Sequence, residues 1–155
     1  MTNQWRHLPA PARPIAAAVD AAVTAARAHD AEALASATGE LAAQDRAQAS
    51  LILGTTVRLL LEATHPDGLD GDDIREVLEQ SVRAAARWHP DVDPHVVLIL
   101  LAGSLGVHDD EEPAPKPDAL ALHSALLLDH LLGPRPLPEF LTLALGEIEC
   151  AQLND

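Results

Sequence analysis

Metal binding is the first chemistry that the residue types suggest, because the sequence contains eight histidines. Glu62 and His65 have the Glu-x-x-His spacing that places both side chains on one helix face in di-iron bundles. Such a bundle needs two copies of this motif and two further glutamates, whereas this sequence has one copy. His123 and His130 also share a helix face, and we include His95 with them as a further candidate ligand.

The same histidines have a structural interpretation that we favour. A histidine on an apolar helix face commonly bonds to a backbone carbonyl or a nearby carboxylate, and Asp129 is adjacent to His130. We therefore interpret His123 and His130 as buried structural residues and predict no cofactor. A metal site built from Glu62, His65 and the other three histidines remains an alternative hypothesis.

Calcium binding is suggested by the acidic loop that starts at Asp67. Counted from Asp67, the third, fifth and twelfth positions are Leu69, Gly71 and Leu78, where the EF-hand pattern requires oxygen ligands. Acidic residues are also favourable at a helix N-terminus, where they meet unpaired backbone N–H groups. We therefore expect this loop to begin a helix and not to bind calcium.

Nucleophilic catalysis has two candidate residues and little support. Cys150 follows Glu149, and a neighbouring carboxylate raises the pKa of a thiol instead of activating it. Ser104 lies between glycines but not in the strand-turn-helix context of a nucleophile elbow. The sequence also lacks a phosphate-binding loop, a zinc-type cysteine pair and a dinucleotide fingerprint. We expect a protein without catalytic activity.

Acidic residues dominate the charge of the chain, which is −14. A chain this acidic, with no stripe of basic residues, is a poor binder of nucleic acid phosphates. Four consecutive acids form the acidic segment 109–112: Asp109, Asp110, Glu111 and Glu112. This segment predicts a solvated loop that attracts a protein partner with a basic surface.

The first thirteen residues contain two prolines and no helical periodicity, so we expect residues 1–13 to form an extended arm. Trp5 is the only aromatic residue in this arm. Aromatic anchors contribute much of the binding energy in protein interfaces. Trp5 either packs on its own domain or inserts into a partner or a second subunit.

Helical periodicity covers the rest of the chain and predicts a single all-α domain at residues 14–155. The run from Pro94 to Val107 has apolar residues on every side, so we expect it to be the buried central helix. We predict a bundle of six or seven helices built from antiparallel helical hairpins. The expected helices span about 14–28, 31–38, 40–64, 74–88, 94–107, 119–132 and 138–153.

The function that we favour is that of a non-catalytic adaptor or regulatory module, which binds another protein and has an acidic surface. Two alternatives stay open: a metal-dependent enzyme that uses the histidines, and a helical pocket for an apolar small molecule. Two nearly all-apolar helices leave more hydrophobic surface than a small domain easily covers, so we expect a homodimer. A single cysteine, no apolar run of signal-peptide length and none long enough to span a bilayer predict a cytoplasmic protein without a membrane partner.

Overall fold

Seven α-helices make up the fold in the computed structural model, which describes residues 10–107 and 114–153. These described ranges contain no strand, and a short 3-10 helix at Ala10–Ala12 precedes the first α-helix. The prediction of an all-α bundle with six or seven helices is confirmed. The helices are α1 (Arg13–Arg27), α2 (Ala31–Ala42), α3 (Arg46–Thr64), α4 (Gly71–Ala86), α5 (Pro94–Ser104), α6 (Pro117–Leu132) and α7 (Leu137–Leu153).

Aspartates begin four of these helices. Each accepts a hydrogen bond from a backbone N–H of the first turn, which would otherwise have no partner within the helix. At α4 the cap is reciprocal, because the Asp73 carboxylate also accepts from the Asp70 backbone N–H. The acids of the 67–73 loop thus begin a helix, as predicted. The capping residues are Asp30, Asp45, Asp70 and Asp93.

The boundary between α2 and α3 differs from the prediction. A helix break was expected at Gly39, but α2 continues through this glycine to Ala42. Leu41 is almost completely buried, so packing against the core extends the helix past a residue of low helix propensity. The break lies at residues 43–45, where the Asp45 side chain begins α3.

The expected position of the central helix was wrong. Helix α5 ends at Ser104 instead of Val107, and Leu98 on its outer side is 42% exposed. Helix α6 occupies the centre, because it packs against α1, α2, α3, α4 and α5. Helix α5 packs against three helices, α3, α4 and α6, and leaves Leu98 exposed, whereas Leu128 and Leu132 of α6 are fully buried.

The bundle is not a simple series of hairpins. Helices α1 and α2 do pack on each other across a connection of three residues, 28–30. However, α3 packs mainly on α7, which is far along the chain, and both α1 and α2 pack on α6. Long-range contacts between helices therefore determine the arrangement more than consecutive pairing does.

The end of the predicted extended arm, residues 10–13, is helical instead. Residues 1–9 lie outside the described residues, Ala10–Ala12 form the 3-10 helix, and Arg13 already belongs to α1. The fixed φ angle of Pro11 suits a helical turn, and the burial of Ala12 attaches this turn to the core. None of the helices in the described ranges has the length and apolar character that a membrane span requires.

Candidate functional site

The residues predicted to bind a partner lie outside the described residues. This holds for Trp5 and for all four residues of the acidic segment 109–112. The structure does describe the points where both segments join the bundle. The N-terminal segment joins at the 3-10 helix, and the acidic segment follows Val107, whose side chain is 64% exposed.

His123 is a buried structural histidine whose two ring nitrogens are both used. Its Nε2 accepts a hydrogen bond from the backbone N–H of Asp93 at 2.8 Å. Its Nδ1 therefore carries the proton and donates to the Ala119 carbonyl oxygen at 2.7 Å. Burial lowers the pKa of His123, and the neutral ring joins the start of α5 to α6.

His130 lies one turn from the end of α6 and is half-buried. Burial lowers the pKa of His130, while the neighbouring Asp129 carboxylate opposes this shift. Burial also raises the pKa of Asp129, against the opposing charge of Arg27 on α1. The Nε atom of Arg27 is 3.5 Å from an Asp129 oxygen, so this ion pair connects α1 to α6.

The other proposed metal ligands have separate roles. Glu62 accepts hydrogen bonds from Arg58, and the Nδ1 atom of His65 lies 3.1 Å from the Leu61 carbonyl oxygen. His95 is exposed in the first turn of α5, where its backbone N–H donates to the Asp93 carboxylate. In the described ranges, no three or more His, Cys, Asp or Glu side chains are grouped so that they could hold a metal ion.

Among the described residues, the two candidate nucleophiles lack the neighbouring base that a nucleophile needs. The Ser104 hydroxyl is buried and donates to the Leu101 carbonyl oxygen within α5. Cys150 is exposed on the outer side of α7. In the described ranges, neither residue has a histidine among its hydrogen-bond partners.

Two further histidines have structural roles that the sequence did not reveal. His89 is buried, and its Nδ1 accepts the backbone N–H of Asp91, which closes the connection between α4 and α5. His29 has a φ of 54° and stacks on Trp88 with a centroid separation of 4.8 Å. The burial of His89 depends on tertiary packing, which the sequence does not show.

An open groove between α3 and α5 is the feature that sequence reasoning missed. Its volume is about 520 Å³, and Leu51, 47% exposed, stands in its wall. Arg58 is the one charged residue among the described residues that line it. The lining comprises Ser50, Leu51, Gly54, Thr55 and Arg58 of α3 together with Gly103, Ser104, Leu105 and Gly106 at the end of α5.

The scarcity of charged residues along this groove is visible in the sequence. No charged residue occurs from Ala47 to Val57 or from Val96 to Val107. From the sequence alone, both stretches could be interpreted as fully buried in the hydrophobic core. Only the packing of α3 against α5 shows that one side of each stretch faces an open groove.

Among the described residues, the leucines of α6 pack mainly in the hydrophobic core. Leu127, Leu128 and Leu131 pack in the main core cluster. A groove that α6 shares with α2 and α3, at Leu120 and Ala121, has a volume of only about 30 Å³. This volume is about the share of one water molecule in the liquid.

Comparisons with protein-family models, with curated proteins and with solved structures give no match to this chain, so its function is inferred from its own residues.

Proposed function

We propose that this chain is a non-catalytic helical module that binds another protein through the groove between α3 and α5. The observation that carries the proposal is Leu51, a large apolar side chain that is 47% exposed in the wall of this groove. An apolar side chain held half in water gains free energy when a partner covers it.

The chemistry of the groove supports a protein partner. The centres of protein interfaces are depleted in charged residues, and this groove has Arg58 alone among its described lining residues. Gly54, Gly103 and Gly106 add no side chains to its surface, so a partner can approach the backbone closely. An apolar side chain of a partner segment would lie against Leu51 and Leu105.

The position of the acidic segment supports a partner with basic residues. Gly106 lines the groove, and Asp109 follows it by three residues, which span at most about 10 Å. A segment bound in the groove would therefore lie within reach of four carboxylates. Charge complementarity of this kind mainly increases the rate and the specificity of association.

The roles of the polar residues support a function without catalysis. His123 joins the start of α5 to α6, whereas Ser104 and Glu62 form hydrogen bonds within α5 and α3. A general base or nucleophile needs a partner aimed at a site that substrate can reach. The open groove offers an apolar surface instead.

The proposal includes homodimer formation through the outer side of α7. Leu143 is 53% exposed there, and it shares a shallow surface with Gly146 and Cys150. Glu147, the acid on this surface, forms an ion pair with Arg58 of α3. A two-fold axis would place the same apolar surface of a second copy against it.

Selection from a library of random peptides tests the docking groove. We expect enriched peptides to contain one large apolar residue next to lysine or arginine, because the groove is apolar and the neighbouring segment is acidic. Leu51→Glu should weaken their binding by about tenfold, because the added charge would be buried under the peptide. Binding is measured by titration, and amide chemical shifts locate the peptide.

A matched pair of charge variants provides the control. Neutralising the acidic segment 109–112 to the corresponding amides should weaken binding and reduce its dependence on salt. An equal charge change on the exposed surfaces of α2 and α4 should have little effect. Equal losses in both variants, or chemical shifts that change away from α3 and α5, would contradict the proposal. The control substitutions are Glu32→Gln, Glu40→Gln, Glu76→Gln and Glu79→Gln.

A further inference from the structure

A second groove lies on the other side of Leu51, between α3 and α7. Its volume is about 340 Å³, near the lower end of the roughly 300–1,000 Å³ typical of small-molecule pockets. Leu145 and Ile148 of α7 line it together with Leu51, and the polar residues at it are Gln48 and Glu149. The groove is thus of a size and polarity that suit one large apolar side chain.

The N-terminal end of the described chain lies at this groove. Pro11 and Ala12 are among its lining residues. Trp5 is six positions before Pro11, and six residues span at most about 20 Å. The side chain of Trp5 is therefore within reach of the groove without any movement of the helices.

Trp5 is one of three aromatic residues in the chain. Of the other two, Trp88 stacks on His29 and Phe140 is buried beside Arg135. An indole gains much from burial against aliphatic side chains. Next to Trp5 in the sequence, Arg6 offers a positive charge, and Glu149 at the groove offers a negative one.

We propose that Trp5 of the same chain occupies the groove between α3 and α7, where its indole ring covers Leu145, Ile148 and only the side of Leu51 that lines this groove. The short tether gives Trp5 an effective concentration near millimolar, well above that of a second copy in a micromolar solution. This inference is independent of the proposed function, which uses the groove on the other side of Leu51.

Contact quenching of a bimane label by tryptophan tests this inference. In a Cys150→Ser background, Gln48→Cys places a single thiol at the groove, at an exposed position of α3. We expect the bimane emission to rise severalfold when Trp5→Phe removes the quencher. A label at Glu40→Cys, exposed on α2 and outside the groove, should give the same emission with either residue at position 5. Equal emission at position 48 with Trp5 and with Trp5→Phe would overturn the inference.

A mixing experiment tests whether the arm comes from the same chain. Labelled protein with Trp5→Phe is refolded from urea together with an excess of unlabelled protein that retains Trp5. The label at position 48 should stay bright, because an arm docked on its own chain cannot quench a label on another. Quenching after mixing would instead assign the groove to the arm of a second copy. Peptide binding at the groove between α3 and α5 should persist in the Trp5→Phe variant, so the two proposals can fail separately.

Discussion

At the scale of single residues, His123 has a structural role, although its spacing in the sequence was compatible with metal binding. The seven-residue separation from His130 was compatible with a metal site, but its ring joins the Asp93 N–H to the Ala119 carbonyl. A protonated ring would direct a second N–H at the Asp93 donor, so the fold favours the neutral form. Burial also lowers the pKa of His123, because it disfavours the charged ring; Ala119 and Asp93 oppose this shift and His89 adds to it.

We expect His123→Ala to lower the free energy of unfolding by about 2 kcal/mol near neutral pH, because it leaves the Asp93 N–H without its acceptor. A pKa that is lower in the folded than in the unfolded state means that the folded state binds fewer protons. The contribution of His123 is therefore complete above about pH 6.5 and is lost as the pH falls through the folded-state pKa. Urea unfolding at about pH 7.5 and about pH 5.5 measures this difference.

The difference between wild type and His123→Ala should be smaller at the lower pH. His65→Ala serves as the control, because His65 is partly exposed and its loss should change stability by less than about 1 kcal/mol. An unchanged difference at the two pH values would show that the titration of His123 does not contribute to stability.

At the scale of elements, α6 and not α5 is the central helix, although the hydrophobicity of the sequence had predicted α5. The sequence from 94 to 107 is the more uniformly apolar, yet α5 lies at the edge and leaves Leu98 exposed. Helix α6 has sixteen residues and is surrounded by α1 to α5, so its length and position bury more of its surface. The number of neighbouring helices decided which helix is central.

Matched leucine truncations test this assignment of the central helix. Leu128→Ala in α6 should destabilise the protein by about 3 kcal/mol, because it removes a fully buried side chain and leaves a cavity. Leu98→Ala in α5 should cost less than about 1 kcal/mol, since the Leu98 side chain already contacts water. Chemical unfolding monitored by circular dichroism gives both values. Equal losses of unfolding free energy in the two variants would show that α5 and α6 are buried to the same extent.

At the scale of the whole molecule, net charge and apolar surface act in opposite directions. Each copy carries a charge of −14, which repels a second copy, whereas Leu143 on α7 is an apolar contact available for pairing. Salt screens the repulsion, and its effect on burial of apolar surface is small at moderate concentration. Dimer formation should therefore strengthen when salt is added.

We expect light scattering at micromolar concentration to give about twice the chain mass of 16.4 kDa, with a larger dimer fraction at higher salt. Leu143→Glu should shift the mass to that of a monomer, because it places a charge in the contact. Leu98→Glu adds the same charge to another exposed position and should leave the dimer intact. A monomer mass for the wild type at every salt concentration would exclude the dimer.

The sequence predicted where most helices begin, but it did not predict how deeply each helix is buried. Helices were predicted after the loop at Asp67 and from Pro94, and the side chains of Asp70 and Asp93 cap α4 and α5 there. The break expected at Gly39 was wrong, because the burial of Leu41 outweighs the low helix propensity of glycine. Of the candidate site, the sequence indicated the acidic segment 109–112 and Trp5, but not the groove at Leu51.

The sequence by itself determined the helical class, most helix starts and the acidic charge, since these depend on periodicity, capping and composition. Only the tertiary structure decided that α6 is central, that His123 joins α5 to α6, and that Leu51 remains half exposed between two grooves. The reason is physical: burial depends on which other helices cover a side chain, and residues distant in sequence provide that cover. Both grooves exist because the described helices leave part of α3 uncovered.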